Sequence, residues 1–446
     1  MNIPTTGRKA DDILAELGAK AHGDTKWKQG RVFSLVYKVP GAAGEAHDEL
    51  LQKAHALYAS TNLLNPMAFS SLKQMEREII EMAGGLFHHP GAVGTVTSGG
   101  TESILCAVAA YRDRARAKRP WILRPELVVP TTIHPAFDKA AHYFGVKLKK
   151  VPVGPDFRAD VKAMEKAIGW QTIGLCASAP QYAHGVVDPI VELGAVAQKK
   201  GLPLHVDACV GGYILPWLEQ LGRAVPIWDF RVPGVTSISA DLHKFAYAGK
   251  GASTLVWRSL DDMRYQIFVA TDFPGGIYAS PTMIGTRPGG PIAAAWATLQ
   301  AFGVDGYKQL AAQAAEAADQ LRVGLKAIPG LTLLGKSDST IVSYGCVGAD
   351  AYALADRLEA RGWTVDRQQR PASIHLTVTA NHLAIVDDYL RDVRESLAEL
   401  RANPALAKSG SAPMYGMAAK MPVRRLVARN VRKMIAEMYA AGSATP

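Results

Sequence analysis

The chain has 446 residues, 48% hydrophobic and 20% charged, which is the composition of a globular protein with room for two or three packed units and excludes disordered and fibrous classes. Fifty Lys and Arg against 40 Asp and Glu give a formal net charge of +10, but no nucleic-acid-binding module accompanies the excess, and no apolar run approaches the span of a bilayer. Cys106, Cys176, Cys209 and Cys346 form no CxxC pair, so neither a metal site nor a disulfide framework is indicated, and a reducing, cytoplasmic setting fits.

From the N-terminus, MNIPTTGRKADDILAELGAK lacks the apolar core of a signal peptide. Residues 1–85 read as a mainly helical segment, with amphipathic patterns in DELLQKAHALYAS and SLKQMEREIIEMAGGLF. Between residues 86 and 305, short β-branched runs alternate with helical stretches: AVGTVTS, ELVVPTT, KLKKVPV, TIGLCAS, PLHVDA, SISAD and STLVWR. That alternation predicts a large α/β domain around a mostly parallel sheet. Residues 306–446 turn to helices with a few strands, TLLGK, STIVSYG and IHLTVT, and predict a smaller C-terminal α+β domain. Basic clusters at Arg112, Arg114, Arg116, Lys118 and Arg119, and at Arg424, Arg425, Arg429, Arg432 and Lys433, fit solvated helix faces; attraction to an anionic substrate or membrane surface is the alternative.

Three motifs carry chemistry, each at a predicted strand end. Gly99, Gly100 and Thr101 lie in TSGGTES, which follows a strand and opens the helix SILCAVAAYRDRA. Glycines admit an anion close to the backbone, and a helix start offers free N–H groups to phosphate. An ordinary Gly-rich turn has the same look. Asp207, in HVDAC, stands at the edge where α/β folds bind ligands, although a helix-capping Asp would read the same way. His243 and Lys244 end SADLHK, thirty-seven residues after Asp207 in the case of the lysine. A strand-end lysine is costly to bury unless it is consumed as an imine. Taken together and in this order, an anion cradle, a carboxylate for a pyridine nitrogen and an imine-forming amine are what one pyridoxal 5'-phosphate molecule needs. His134, in TTIHPAFDKAAHYFG, also follows a strand, where an imidazole can stack on the ring or serve structure alone.

TSGGTES, HPAFDKAA, HVDACVGG, SADLHKFAYAGKG, YASPTMIGTRPGG and GSAPMYGMA resemble the sphingosine-1-phosphate lyases, within the group II pyridoxal-phosphate-dependent decarboxylases. The resemblance runs from about residue 30 to 440. It implies the pyridoxal-phosphate-dependent transferase fold of type I, a homodimer with active sites at the subunit interface, and cleavage of a phosphorylated sphingoid base. It also implies residue roles. Lys244 holds the cofactor, Asp207 pairs with the pyridine nitrogen, and His134 stacks on the ring. Gly99, Gly100, Thr101 and His243 hold the cofactor phosphate, and Thr286 reaches the phosphate in the partner subunit. Tyr37 and Lys250 bind the substrate phosphate, with Tyr182 and then His184 as weaker substrate-side candidates. Asn65 replaces the family's usual histidine, so a group able to become cationic is lost there. The rivals are a group II amino-acid decarboxylase and a catalytically silent binding protein. A decarboxylase has no use for Lys250 and Tyr37 as phosphate ligands, and the intact Asp207 and Lys244 argue against a silent protein.

Overall fold

A computed structural model describes residues 3–408, 410 and 424–440. The GSAPMYGMA motif, apart from Gly410, lies outside the described residues.

All seven β-branched runs form strands of one sheet: β1 (Val93–Thr97), β2 (Glu126–Pro130), β3 (Lys147–Val151), β4 (Thr172–Ser178), β5 (Leu204–Asp207), β6 (Val235–Ala240) and β7 (Ser253–Trp257), in the order β1-β7-β6-β5-β4-β2-β3. β7 runs antiparallel to both β1 and β6, while the pairs among β6, β5, β4, β2 and β3 are parallel. Six strands therefore point the same way. β4 and β2 are buried along their whole length, the state of parallel strands covered on both faces. One face packs on the helices Gly100–Lys118 and Ala136–Phe144 around Tyr111, Phe137 and Trp257; the other meets Leu193, Trp217 and Trp228.

Beyond the sheet, β8 (Phe268–Ala270) and β9 (Tyr278–Ser280) make a small hairpin. The helix Gly289–Lys326 leads from the first core into a second one. Its backbone breaks helical geometry at Gly303, where φ is 55°, a left-handed value that glycine adopts without steric cost. The second core gathers Phe33, Trp363 and Tyr389 against an antiparallel sheet of β10 (Leu331–Leu333), β11 (Ile341–Cys346), β12 (Asp366–Gln369) and β13 (Ala372–Thr377), ordered β10-β11-β13-β12. Residues 31–39 connect the two bodies: Val32 bridges Thr364, Phe33 enters the second core, and Tyr37 packs edge-on against Phe245 beside the first. Ser34 and Leu35 in this crossing hold positive φ angles of 86° and 58°, a strained geometry for side-chain-bearing residues. No helix among the described residues is long and apolar enough to cross a membrane.

Candidate active site

The C-terminal ends of the co-directed strands converge on a cavity of about 380 Å³. β1 delivers Gly99, Gly100 and Thr101; β2 leads to His134; β4 leads to Tyr182; β5 ends in Asp207; β6 runs into Asp241, His243 and Lys244. All of these line the cavity. Ligands bind at this edge in open α/β sheets because loops there diverge and leave a crevice.

The cradle is shaped by glycine. A Cβ on Gly100 would lie 2.6 Å from Cys209 Sγ and 2.7 and 2.8 Å from the two Asp241 oxygens, and one on Gly99 would lie 3.3 Å from His243 Cε1. Gly99 caps the helix Gly100–Lys118 with no side-chain hydrogen bond, so the first-turn N–H groups remain available to an anion. Glu102 stiffens the turn: Oε2 accepts from Ser98 N at 2.7 Å, and Oε1 accepts from Met283 N at 2.9 Å and Ile284 N at 3.1 Å. One buried carboxylate thus ties the cradle to the loop that carries Thr286.

Lys244 Nζ sits 2.9 Å from Asp241 Oδ2, and His243 Nε2 lies 3.6 Å from the same oxygen. Burial works against the Lys244 cation, but the charge of Asp241 and its hydrogen bond outweigh it and hold the amine above its usual pKa. Burial likewise opposes ionisation of Asp241, yet Lys244 and His243 keep its carboxyl below the ordinary range. Asp241 Oδ1 is buried with no hydrogen-bond partner among the described residues. Asp207 is backed by a polar chain: Oδ1 accepts from Cys209 N at 3.1 Å and more loosely from Ser239 Oγ at 3.5 Å. Ser239 Oγ also meets His205 Nε2 at 3.2 Å. Burial drives His205 down to about 4, so its ring is neutral. His134 accepts from Ala136 N on Nδ1 at 3.2 Å, which fixes the ring and leaves the proton on Nε2.

The remaining sequence candidates do not line this cavity. Lys250 reaches back to it: Nζ donates to Leu35 O at 2.6 Å and His243 O at 3.3 Å, and rests 5.3 Å from the Tyr37 ring centroid. Burial of the ammonium among these groups, and then the Lys244 charge, lower Lys250 to about 8, although the residue as a whole is exposed in the single chain. Tyr37 is pushed up to about 12 by burial, with Lys244 close enough to pull in the other direction. Asn65 and Thr286 are exposed. Asn65 Oδ1 accepts from Met67 N at 3.0 Å, and Leu63 N donates to Arg287 O at 2.9 Å, so both residues lie along one strip of surface. His184 faces away from the site: its ring stacks on Phe157 at 3.8 Å, Nδ1 meets Gln181 Nε2 at 3.0 Å, and burial lowers it to about 4. The expectation of a substrate contact there is corrected; this histidine serves the core. Sequence reasoning missed Asp241, Glu102 and Asp366. Asp241 stood inside SADLHK, and only its burial beside Lys244 gives it meaning.

Comparison with known proteins gives the family. The pyridoxal-dependent decarboxylase conserved domain matches residues 21–346. A sphingosine-1-phosphate lyase of Arabidopsis thaliana is 42% identical over 93% of this chain and 77% of its own length. The chain belongs to the sphingosine-1-phosphate lyase family. A solved lyase of this family, from Burkholderia pseudomallei, superposes with a TM-score of 0.86 at 38% identity, covering 91% of this chain and 94% of that one. Glutamate decarboxylase of Lactobacillus brevis superposes with a TM-score of 0.78 at 20% identity over 90% and 95% of the two chains, and shares the fold.

The family's cofactor is pyridoxal phosphate, and the cavity fits it. A glycine cradle that a single methyl would fill, an uncapped helix start, a strand-end carboxylate and an amine paired with a half-satisfied aspartate match a phosphate, a pyridine nitrogen and an aldehyde.

Proposed function

We propose that this lyase cleaves the C2–C3 bond of a phosphorylated sphingoid base, yielding phosphoethanolamine and a long-chain aldehyde. Bound pyridoxal phosphate supplies an electron sink for the pair released when the bond breaks. The chain's own groups prepare that event. Gly99, Gly100, Thr101 and His243 would hold the cofactor phosphate, Lys244 would hold its aldehyde end, His134 would pack on the ring, and Asp207 would keep the ring nitrogen protonated, with Cys209 N and Ser239 fixing the carboxylate. Asp241 holds Lys244 in place and supplies the counter-charge.

The observation that carries the reading is Lys250. It lies six residues beyond Lys244, and its ammonium is held at the cavity's edge by two carbonyls and the Tyr37 ring. Asp241 offsets one of the two cations; the second is costly without a further anion, which the substrate's phosphate supplies. A decarboxylase of a small amino acid has no phosphate to place there.

The assembly is a homodimer in this reading. Leu64, Met67, Phe268, Phe273 and Ile277 are exposed apolar side chains, and Leu64 and the β8–β9 hairpin lie beside the loop of Thr286. Apolar surface of this kind is what a subunit interface covers. Asn65 and Thr286, outside their own chain's cavity, then reach the partner's site. The four cysteines are unpaired, which supports a reducing cytoplasm. The test is incubation of purified, cofactor-loaded protein with sphingosine 1-phosphate, with mass spectrometry for aldehyde and phosphoethanolamine. Carbon dioxide release from amino acids without aldehyde formation would overturn the assignment.

A further inference from the structure

We propose that Asp366 is a positioning residue that commits the hydroxyl proton of Tyr182, so that the Tyr182 oxygen receives a hydroxyl of the substrate and not its phosphate. This rests on the substrate reading above and names what one wall of that site recognises.

Tyr182 follows β4 and lines the cavity. Its hydroxyl donates to Asp366 Oδ2 at 2.5 Å. Asp366 belongs to the other body of the protein: it opens β12 and pairs in register with His375 on β13. The His375 ring lies against the Tyr182 ring, 4.1 Å between centroids. His375 is itself fixed, with Nδ1 donating to Ala183 O at 3.3 Å and Nε2 accepting from Thr377 Oγ1 at 2.9 Å. Burial lowers His375 to about 4, so the ring under Tyr182 is neutral. The second sheet thus grips a cavity-lining side chain of the first domain from below and at its tip.

A phenol has one proton and two lone pairs. Here the proton is spent on a carboxylate in a short, charge-assisted bond. Burial first, and then the Asp366 charge, hold the phenol well above its usual pKa, so it does not become a phenolate. What the oxygen still offers is a lone pair with a carboxylate behind it. Such a group accepts from a donor. It repels a phosphate dianion, which has only acceptors to present. The substrate's amine goes to the cofactor, which leaves the hydroxyl beside the scissile bond as the donor that matches.

The experiment compares two probes on holoenzyme: a phosphorylated sphingoid base, and its counterpart lacking only that hydroxyl. Cleavage of the first gives kcat/KM, and the dissociation constant of the second is read from the cofactor's absorbance. Wild-type enzyme that fails to cleave the first probe overturns the functional reading and this proposal with it. Given cleavage, Asp366→Ala and Tyr182→Phe are each expected to lower kcat/KM about tenfold or more. The double variant is expected to lose no more than either alone, because both remove one contact. Asp366→Asn, whose carbonyl still accepts the phenolic proton, is expected to recover part of the loss. Binding of the hydroxyl-free probe is expected to change less than about twofold in all four. Equal losses on the two probes, additive single losses, or an Asp366→Ala enzyme as active as wild type would overturn the proposal.

Discussion

Replacing Lys250 by alanine should separate phosphate recognition from cofactor chemistry. An ammonium has three donors. Two of those on Lys250 are held by Leu35 O and His243 O, so one remains for an incoming phosphate oxygen. A single charge-assisted hydrogen bond is worth about 1.5–3 kcal/mol. Removing it should lower kcat/KM for the phosphorylated base by roughly 10- to 100-fold, toward the lower figure because the side chain is partly open to solvent. An unphosphorylated base, where it is turned over, should change by less than about twofold. The pH dependence gives a second handle. Burial and Lys244 bring Lys250 down to about 8, so the cation is present below that pH and is lost above it. Wild-type preference for the phosphorylated substrate should therefore fade as pH rises past 8, and the alanine variant should show no such limb. Steady-state kinetics on both substrates, with the cofactor spectrum as a check on loading, decides the matter. Equal losses on both substrates, or a preference that survives the substitution, would refute the assignment of Lys250 to phosphate.

Gly100→Ala places a methyl within 2.8 Å of Cys209 and Asp241; relieving that contact costs about 1–3 kcal/mol, and cofactor affinity measured by fluorescence titration should fall roughly 5- to 100-fold. Unchanged affinity would show that the cradle is not the phosphate site. Asp207→Asn should retain the cofactor and lose turnover by about 10- to 100-fold, because an amide does not hold the ring nitrogen protonated; near-normal turnover would reduce Asp207 to a structural cap. Mixing Lys244→Ala subunits with Thr286-loop variants should restore about a quarter of the active sites, since random pairing gives half heterodimers with one intact site each. A fully active monomer in ultracentrifugation would refute the shared site.

The seven strands of the main sheet were legible because short apolar or β-branched runs alternate with helical stretches there, most plainly in the fully buried β2, β4 and β7. Part of the cavity's lining was legible for a related reason: Gly99, Asp207 and Lys244 each stand within a few residues of a strand end, so local sequence already placed them at that edge of the sheet. What escaped depends on distant partners. β12 reads DRQQ, a poor strand former, and becomes a strand because β13 supplies its hydrogen bonds. Asp366 gains significance only when that strand meets Tyr182. His184 misled because an imidazole beside a motif looks chemical, and only Phe157 lying flat against it shows a packing role.

Glu102 also constrains the order in which the protein can be made. Its three amide partners are Ser98, four residues back, and Met283 and Ile284, 181 and 182 residues ahead. At ribosomal speeds of roughly 5–20 residues per second, the cradle's sequence leaves the ribosome about 10–40 seconds before the loop that locks it. Arg287, which closes on Glu76 and on Val96 O, arrives equally late. The nascent chain therefore carries an unlocked cradle from the synthesis of Glu102 until that of Ile284. A chain truncated before residue 283 keeps the residues of the cradle without the clamp that sets their shape.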